Sequence, residues 1–379
     1  MERIKSVARQ GGFEAIFEEF KIQAQKPPGG DAVIGAFYQA VVDLSNKDSK
    51  IKQYINLTTS QRPFEPRHFV NLFFRAVQFI QLEGDNSTTY PTDFENEKKW
   101  AQELQTLLDN KSEQLSKLLL TKDASTTKYQ RYLGPKSILS HLFPNKKLYI
   151  ADLGCGGNYF IPGIILNEPF SDIEDNTSNE IIRSYLHAPV DVRYGIAVDK
   201  VNPDDTDARN WRLSCSFYPQ ELHQRAKVEA FEERLKRADN VGFLRHDLLN
   251  SPLTQKLQAV NPDNFDAVVI STVLYMFDEK GRNKVINEAK ELVNGSGIII
   301  VQDFARKDSI SPTVLDFSVN WTDSYAYRTF LTSKSNNWQM QEIFQWFNGR
   351  CTTVREGEDF INFFSPIKMN LSQSISEII

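Results

Sequence analysis

Apolar residues recur every three or four positions in roughly the first third of the chain, the spacing that buries one face of a helix. The first stripe consists of Phe13, Ile16, Phe17 and Phe20. Proline and glycine at 27–30 end it. The same spacing predicts three further helices, over 31–44, from Pro66 onward and over 94–120. Asp31 is the predicted N-cap of the first of these three. The segment 84–93, rich in Asn, Ser, Thr and Pro, predicts a loop, and core packing is the ordinary explanation of the stripes.

After residue 147 the pattern changes to short apolar runs that alternate with helical stretches. The runs lie at 148–153, 194–198, 241–244, 265–271 and 297–301, with a clear helix at 279–293. Strands that alternate with helices are typical of a parallel sheet covered on both faces. The tail adds a predicted strand at 325–332, a helix at 337–348 ended by Gly349, and a final strand near 351–364. We therefore expect an α/β fold with a mostly parallel sheet of seven strands, preceded by an all-helical region.

This change of pattern predicts two domains. An N-terminal helical region over 1–125 would serve as a substrate cap or an oligomerisation element, and an α/β domain would occupy 126–370. Two stretches of the second domain, 167–191 and 202–238, are predicted as insertions, the latter with a charged helix at 220–238. Insertions at the carboxyl edge of a sheet usually shape the substrate pocket.

Charge and cysteine content mainly exclude classes of function. The net charge is -5 and the pI is about 5.7, with no obvious Lys/Arg stripe, which argues against a nucleic-acid partner without excluding a local basic patch. Cys155, Cys215 and Cys351 are widely spaced and include no C-x-x-C pair, so neither a disulfide framework nor a metal site is indicated. No run approaches ~18 apolar residues, and the N-terminus lacks a signal-peptide core. We therefore expect a cytoplasmic protein without a membrane span.

The loop 152–157, with the sequence DLGCGG, follows the first predicted parallel strand. Glycines let the backbone turn sharply and approach a ligand closely, and ligands of open parallel sheets bind outside the carboxyl ends of the strands. A dinucleotide loop reads G-x-G-x-x-G and receives a pyrophosphate. Here the pattern is G-x-G-G, and Asp152 would repel a pyrophosphate but suit a ligand with an ammonium group. No phosphate-binding G-x-x-x-x-G-K-[ST] loop is present.

Residues 148–157 resemble motif I of the class I S-adenosylmethionine-dependent methyltransferases, an apolar strand followed by D/E-x-G-x-G-x-G. Gly157 stands one position before the family's third glycine, and Asn158 occupies that position. The resemblance covers about residues 129–364. It implies a Rossmann-like fold and S-adenosylmethionine as the cofactor.

Other residues extend the resemblance in chain order. In this family an acid at the end of the second strand binds the ribose hydroxyls, as Asp199 would, and an Asp after the third strand lies by the adenine, as Asp247 would. Residues 271–277 resemble the region that lines the reactive methyl, and 294–297 resemble the turn before the fifth strand. The implied cofactor site comprises Asp152, Gly154, Cys155, Gly156, Asp199, Asp247, Leu248, Ser271, Thr272 and, on a lid segment that also carries Tyr132, Tyr129. The interval from Asp152 to Asp199 is far longer than the ~20 residues usual between a glycine loop and its ribose acid.

The acceptor is less constrained than the cofactor. Tyr275, Asp303 and His246 are candidate catalytic residues by position, although core packing or loop structure would also explain each of them. We favour methyl transfer to an O, N or C atom of a small molecule, because the STVLY sequence after strand four resembles small-molecule methyltransferases. Two alternatives remain: methylation of a protein side chain, with acidic insertions docking a basic surface, and a non-catalytic binding protein that keeps the fold.

Overall fold

The structure is a computed structural model. It describes residues 13–47, 49–62, 64, 66–83, 92–125, 128–250, 252–308, 310–317, 327–346 and 351–365. The chain forms two compact units, one comprising Met1–Thr127 with Pro203–Arg234 and the other comprising Lys128–Asn202 with Leu235–Ile379. The segment that follows the second strand of the sheet therefore folds with the N-terminal helices.

The helices and strands are numbered in chain order. The helices are α1 Phe13–Gln25, α2 Ala32–Lys47, α3 Ser49–Gln61, α4 Pro66–Glu83, α5 Glu97–Asn110, α6 Ser112–Thr121, α7 Leu133–Leu142, α8 Phe160–Ile165, α9 Ser171–Glu174, α10 Glu180–Leu186, α11 Thr206–Ser216, α12 Arg225–Leu235, α13 Thr254–Val260, α14 Glu279–Leu292 and α15 Phe360–Phe364. The strands are β1 Leu148–Leu153, β2 Val192–Asp199, β3 Val241–Arg245, β4 Phe265–Ser271, β5 Val293–Phe304, β6 Arg306–Lys307, β7 Leu315–Asp316, β8 Tyr327–Ser333, β9 Gln341–Trp346 and β10 Val354–Glu356.

The helical unit has an aromatic core. The Phe37 ring meets the Trp100 and Phe74 rings edge to face, each at a centroid distance of 5.1 Å. Asp31 caps α2 as predicted, since its Oδ1 accepts a hydrogen bond from the Ile34 N–H at 3.1 Å. The single helix predicted over 94–120 is wrong, because Lys111 has φ -133° and ψ 14° and separates α5 from α6. The predicted helix at 220–238 is shorter, with a 3₁₀ turn at Pro219–Gln224 before α12.

Helix α11 is an integral part of this unit. The Gln78 side chain of α4 donates to the carbonyl of Ser214 at 2.5 Å and to that of Phe217 at 3.1 Å, and Arg75 donates to the same two carbonyls. Trp211 donates its indole N–H to the Asp123 carbonyl at 2.8 Å. The C-terminal carbonyls of a helix lack hydrogen-bond partners within the helix. At the end of α11, the side chains of α4 donate the missing hydrogen bonds.

The second unit contains an eight-stranded sheet in the order β10-β9-β8-β5-β4-β1-β2-β3. The five strands β1 to β5 pair in parallel. β8, β9 and β10 extend the sheet antiparallel from β5. This architecture confirms the predicted Rossmann-like, mostly parallel sheet with an N-terminal helical region, with eight strands in place of seven. β1 has β4 on one side and β2 on the other, so the strand order reverses at β1.

The end of the sheet differs from the prediction. The strand predicted at 325–332 is β8, but the segment predicted as a helix at 337–348 contains β9. Asn337 and Trp338 have φ values of 55° and 61°, and two consecutive left-handed residues reverse the chain into a hairpin. The predicted final strand over 351–364 is β10 followed by α15, and Gly349 lies outside the described residues.

Candidate functional site

The glycine loop lies where the strand order reverses, a position at which ligands of open α/β sheets bind. The N–H groups of Gly154 and Cys155 both donate to the Val198 carbonyl of β2, at 2.8 and 3.1 Å. Gly154 has φ +79°, and a Cβ there would lie 3.0 Å from the Val273 side chain. Only glycine therefore allows this loop to pass so close to the chain that follows β4.

Asp152 ends β1 beneath this loop. Its carboxyl group is fully buried, and neither oxygen has a hydrogen-bond partner within the described ranges. Burial, with a smaller contribution from the charge of Asp199, raises the pKa of Asp152 to about 8. A buried carboxylate without a partner is costly, so this position favours a ligand that brings a positive charge.

Asp199 ends β2 and holds the glycine loop. Its Oδ2 accepts from the Gly156 N–H at 3.0 Å and its Oδ1 accepts from the Val201 N–H at 3.2 Å. Burial raises the pKa of Asp199, although these hydrogen bonds act in the opposite direction. Each carboxylate oxygen can accept a second hydrogen bond, so Asp199 can bind a hydroxyl group while it positions Gly156.

Residues after β4 form a third part of this edge. Thr272 has φ 53°, and its N–H donates to the Gln302 carbonyl at 2.7 Å. Its hydroxyl accepts from Arg131 at 2.6 Å, and the Ser271 hydroxyl donates to the Gln302 side chain at 3.3 Å. The sequence analysis did not predict Arg131 as a residue of this site. Its position between Tyr129 and Tyr132 in a polar segment was the feature that could have indicated it.

Asp303, at the end of β5, fixes the chain after Thr272. Its Oδ2 accepts from the N–H groups of Val273, Leu274 and Tyr275 at 3.2, 2.8 and 3.4 Å, and its Oδ1 accepts from Phe304 at 2.8 Å. Burial raises the pKa of Asp303 to about 7 even though these amides stabilise the carboxylate. Asp303, which was predicted as a catalytic candidate, therefore directs its carboxyl group to backbone amides.

The residues after β3 have mainly local partners. The Asp247 Oδ1 accepts from the Leu249 N–H at 3.0 Å, and Leu248 is buried. His246 is buried, and its Nδ1 lies 3.2 Å from the Lys256 Nζ. The backbone N–H of His246 donates to the Asp199 carbonyl at 2.8 Å. The last bond brings this loop beside the end of β2.

The predicted lid residues have different surroundings. The Tyr129 ring stacks on Phe170 at 4.7 Å, and its hydroxyl donates to the Glu168 carbonyl at 3.3 Å. Tyr132 is also buried, and the pKa of its hydroxyl is raised by burial and then by the charge of Asp152. Of the two tyrosines, Tyr132 therefore interacts with the strand-end acid, and Tyr129 packs on the chain after α8. Cys155 of the glycine loop is buried.

No three His, Cys, Asp or Glu side chains of the described residues converge to hold a metal ion. None of the described helices is both long and apolar enough to cross a bilayer.

The chain was compared with known proteins. No family model and no curated protein matches it. Among solved structures it is similar to an O-methyltransferase family protein from Burkholderia thailandensis, with 15% identity and a TM-score of 0.29 over 73% of this chain and 55% of that chain. It is also similar to the glycopeptide N-methyltransferase MtfA, with 12% identity and a TM-score of 0.26 over 45% of this chain and 53% of that chain. A third is PKMT2 from Rickettsia typhi, with 17% identity and a TM-score of 0.24 over 48% of this chain and 26% of that chain.

The chain thus spans about half the length of the first two of these structures, at 55% and 53%. All three TM-scores lie below 0.5, so the fold assignment rests on the strand order and the site on its own geometry.

Proposed function

We propose that the protein is an S-adenosylmethionine-dependent methyltransferase that acts on a small molecule. The observation that carries the proposal is the buried carboxyl group of Asp152, which lies beneath a left-handed glycine loop and has no hydrogen-bond partner among the residues that the structure describes. The methionine part of this cofactor carries an ammonium group, which would pair with Asp152. A pyrophosphate would place a negative charge there instead.

The residues present fit this cofactor. Asp199 has acceptor capacity left for ribose hydroxyls, and charge-assisted hydrogen bonds of this kind are about twice as strong as neutral ones. The backbone around Gly154 offers close approach, and Asp247 and Leu248 stand at the end of the neighbouring strand for the adenine. When bound, the cofactor supplies a methyl group that is already activated on a sulfonium.

The protein's own part is then to orient the acceptor and exclude water. A general base is needed only if the acceptor atom carries a proton at the working pH. Asp303 bonds to backbone amides and acts as a positioning residue, and His246 is buried beside Lys256. Tyr275 is 38% exposed and is the catalytic candidate that remains accessible at this edge.

Calorimetry with S-adenosylhomocysteine, the demethylated product of the cofactor, tests the cofactor site. Each titration is run at pH 7 in two buffers of different protonation enthalpy. An ammonium group requires the charged form of Asp152, so the wild type should release a proton on binding, because burial raises the pKa of this carboxyl to about 8.

The Asp152→Asn variant should bind at least about tenfold more weakly and release no proton, since a charge-assisted bond is lost. Asp172→Asn, at an exposed acid of α9, is the matched control and should bind as the wild type does. Absence of binding at millimolar ligand would refute the proposal.

A screen with the tritiated methyl donor tests the class of acceptor. Label in extractable metabolites is expected. Label in macromolecules would favour a protein substrate, the alternative that the acidic insertion at 167–191 left open.

A further inference from the structure

A series of aromatic rings runs from the residues after β4 past the carboxyl end of β5 and the amino end of β8 to the carboxyl end of β9. The ring centroids of Tyr275 and Phe304 are 5.1 Å apart, those of Phe304 and Tyr327 are 5.3 Å apart, and those of Tyr327 and Trp346 are 5.9 Å apart. Tyr327 and Trp346 are 1% and 2% exposed, whereas Tyr275 is 38% exposed. The series therefore begins in the core and ends in an accessible ring.

Two contacts hold that ring beside the candidate cofactor loop. Val273, two residues before Tyr275, lies against Gly154, where an added Cβ would be only 3.0 Å away. The backbone N–H of Tyr275 donates to Asp303, as do those of the two residues before it. Tyr275 is thus fixed at the edge where the methyl group of the cofactor would react.

Two further large apolar side chains are exposed at this edge of the sheet. Met276 is 49% exposed in the same 3₁₀ turn, and Leu249, after β3, is 43% exposed. Leu249 reaches across to α14, since its Cδ2 lies 2.9 Å from the position of a Cβ on Gly281. Large apolar side chains that border a ligand site usually contact the ligand.

Three charged groups close to the chain that carries Tyr275 already have protein partners. Asp303 is buried on backbone amides, Arg131 donates to Thr272, and Arg282 donates to the Phe277 carbonyl at 2.6 Å. An acceptor that enters as an ammonium or a carboxylate would lose hydration without gaining a partner from any of these three groups.

Resting on the function proposed above, we infer that the acceptor is a neutral, planar aromatic compound of one or two rings, and that Tyr275 is its specificity residue. The aromatic ring of the acceptor packs against Tyr275, which Phe304 supports from behind. Asp303 is the positioning residue that holds Tyr275 in place. Aromatic rings favour this arrangement because the edge of one meets the electron-rich face of another.

The test uses the full chain saturated with S-adenosylhomocysteine and 1-naphthol as the probe, with binding followed by calorimetry. Tyr275→Leu keeps an apolar side chain but removes the ring, and should weaken naphthol binding roughly fivefold. Tyr275→Phe keeps the aromatic ring and removes only the hydroxyl group, so this variant should bind naphthol as tightly as the wild type does. Weaker binding would be expected if the hydroxyl group were the part of Tyr275 that matters. Cyclohexanol, which has no aromatic face, should bind both variants equally. Ile310→Ala is the control, since Ile310 is 91% exposed and lies outside this edge.

Each outcome bears on one proposal. If naphthol binds with the expected dependence on Tyr275, the inference is supported. If naphthol fails to bind, or binds Tyr275→Leu as well as the wild type, the inference is overturned. The S-adenosylhomocysteine titration described above is a separate experiment on the same protein. Failure of that ligand to bind refutes the methyltransferase, whereas its binding without naphthol binding refutes only the aromatic acceptor.

Discussion

Two buried acids at neighbouring strand ends illustrate how local partners decide the role of one residue type. Asp303 accepts from four backbone amides and orders the loop after β4. Asp152 is as deeply buried but has no such partners among the described residues. Burial raises the pKa of both carboxyl groups, to about 7 and about 8. The fold itself supplies hydrogen bonds to Asp303, whereas Asp152 is the acid that we propose to pair with a ligand.

The raised pKa of Asp152 predicts a specific pH dependence of stability. The carboxyl group titrates near 3.8 in the unfolded chain and near 8 in the folded one, so the folded state holds a proton that the unfolded state has lost between these values. Stability therefore falls as pH rises through this window, by ~1.4 kcal/mol per pH unit for one group.

The comparison with Asp152→Asn isolates this contribution. Urea unfolding at several pH values should show a shallower decline in the variant, which should be the more stable protein at pH 8 and about equal to the wild type at pH 4. Asp172→Asn should leave the wild-type decline unchanged. Parallel curves for the wild type and Asp152→Asn would contradict the assignment.

Gly154 makes a second prediction at the scale of one residue. Gly154→Ala adds a Cβ 3.0 Å from Val273 at a φ of +79°, so it should cost ~1–3 kcal/mol of stability and weaken S-adenosylhomocysteine binding. Val273→Ala added to it removes the contacts with the two Cγ atoms, at 3.0 and 3.2 Å, and should recover part of the loss. The contact with the Cβ of residue 273 and the strained φ remain. Gly295→Ala, with no atom within 4 Å of its Cβ, is the control. Equal effects of the two glycine changes would refute the close approach.

At the scale of elements, the five parallel strands could be predicted because each is a short apolar run bounded by polar turns. The acids Asp152 and Asp199 could be predicted with them, since Asp152 is the last residue but one of its run and Asp199 directly follows its run. β9 could not be predicted, because it contains a buried acid, Glu342, and its apolar residues have a spacing typical of a helix. Its strand conformation depends on pairing with β8. The hydrogen bonds from the backbone of 273–275 to Asp303 likewise could not be predicted, because they require β5 to lie beside β4 and no local sequence pattern indicates that pairing.

The contact between α4 and α11 gives a prediction at this scale. Gln78→Met removes the donors to the Ser214 and Phe217 carbonyls while it keeps the side-chain length. Arg75 still donates to both carbonyls in the variant, so the loss of the Gln78 hydrogen bonds should cost ~0.5–1.5 kcal/mol. Limited proteolysis should then cut 203–234 faster than in the wild type. Arg67→Ala, at an exposed position of the same helix, should not change the rate, and an unchanged rate for Gln78→Met would show that α11 is held by other contacts.

At the scale of the whole molecule, the chain leaves the sheet unit after Asn202, completes the helical unit over Pro203–Arg234, and returns to form β3. The sequence predicted an insertion at 202–238 but assigned it to the α/β domain. Its apolar positions, Trp211 and Cys215, are buried in the core of the helical unit. Composition cannot reveal this, because an apolar stripe does not specify its partner. The role of the helical region as a cap or an oligomerisation element stays a prediction.

The discontinuous helical unit also has a consequence for how the protein is made. A ribosome adds ~5–20 residues per second, so α1 to α6 emerge several seconds before α11 does. During that interval Arg75 and Gln78 lack the carbonyl groups that they bind in the finished protein, and Phe79 lacks the ring of Trp211. The nascent N-terminal helices thus expose apolar surface and unpaired donors until α11 has left the exit tunnel, and chaperones that hold emerging chains would bind them in this interval.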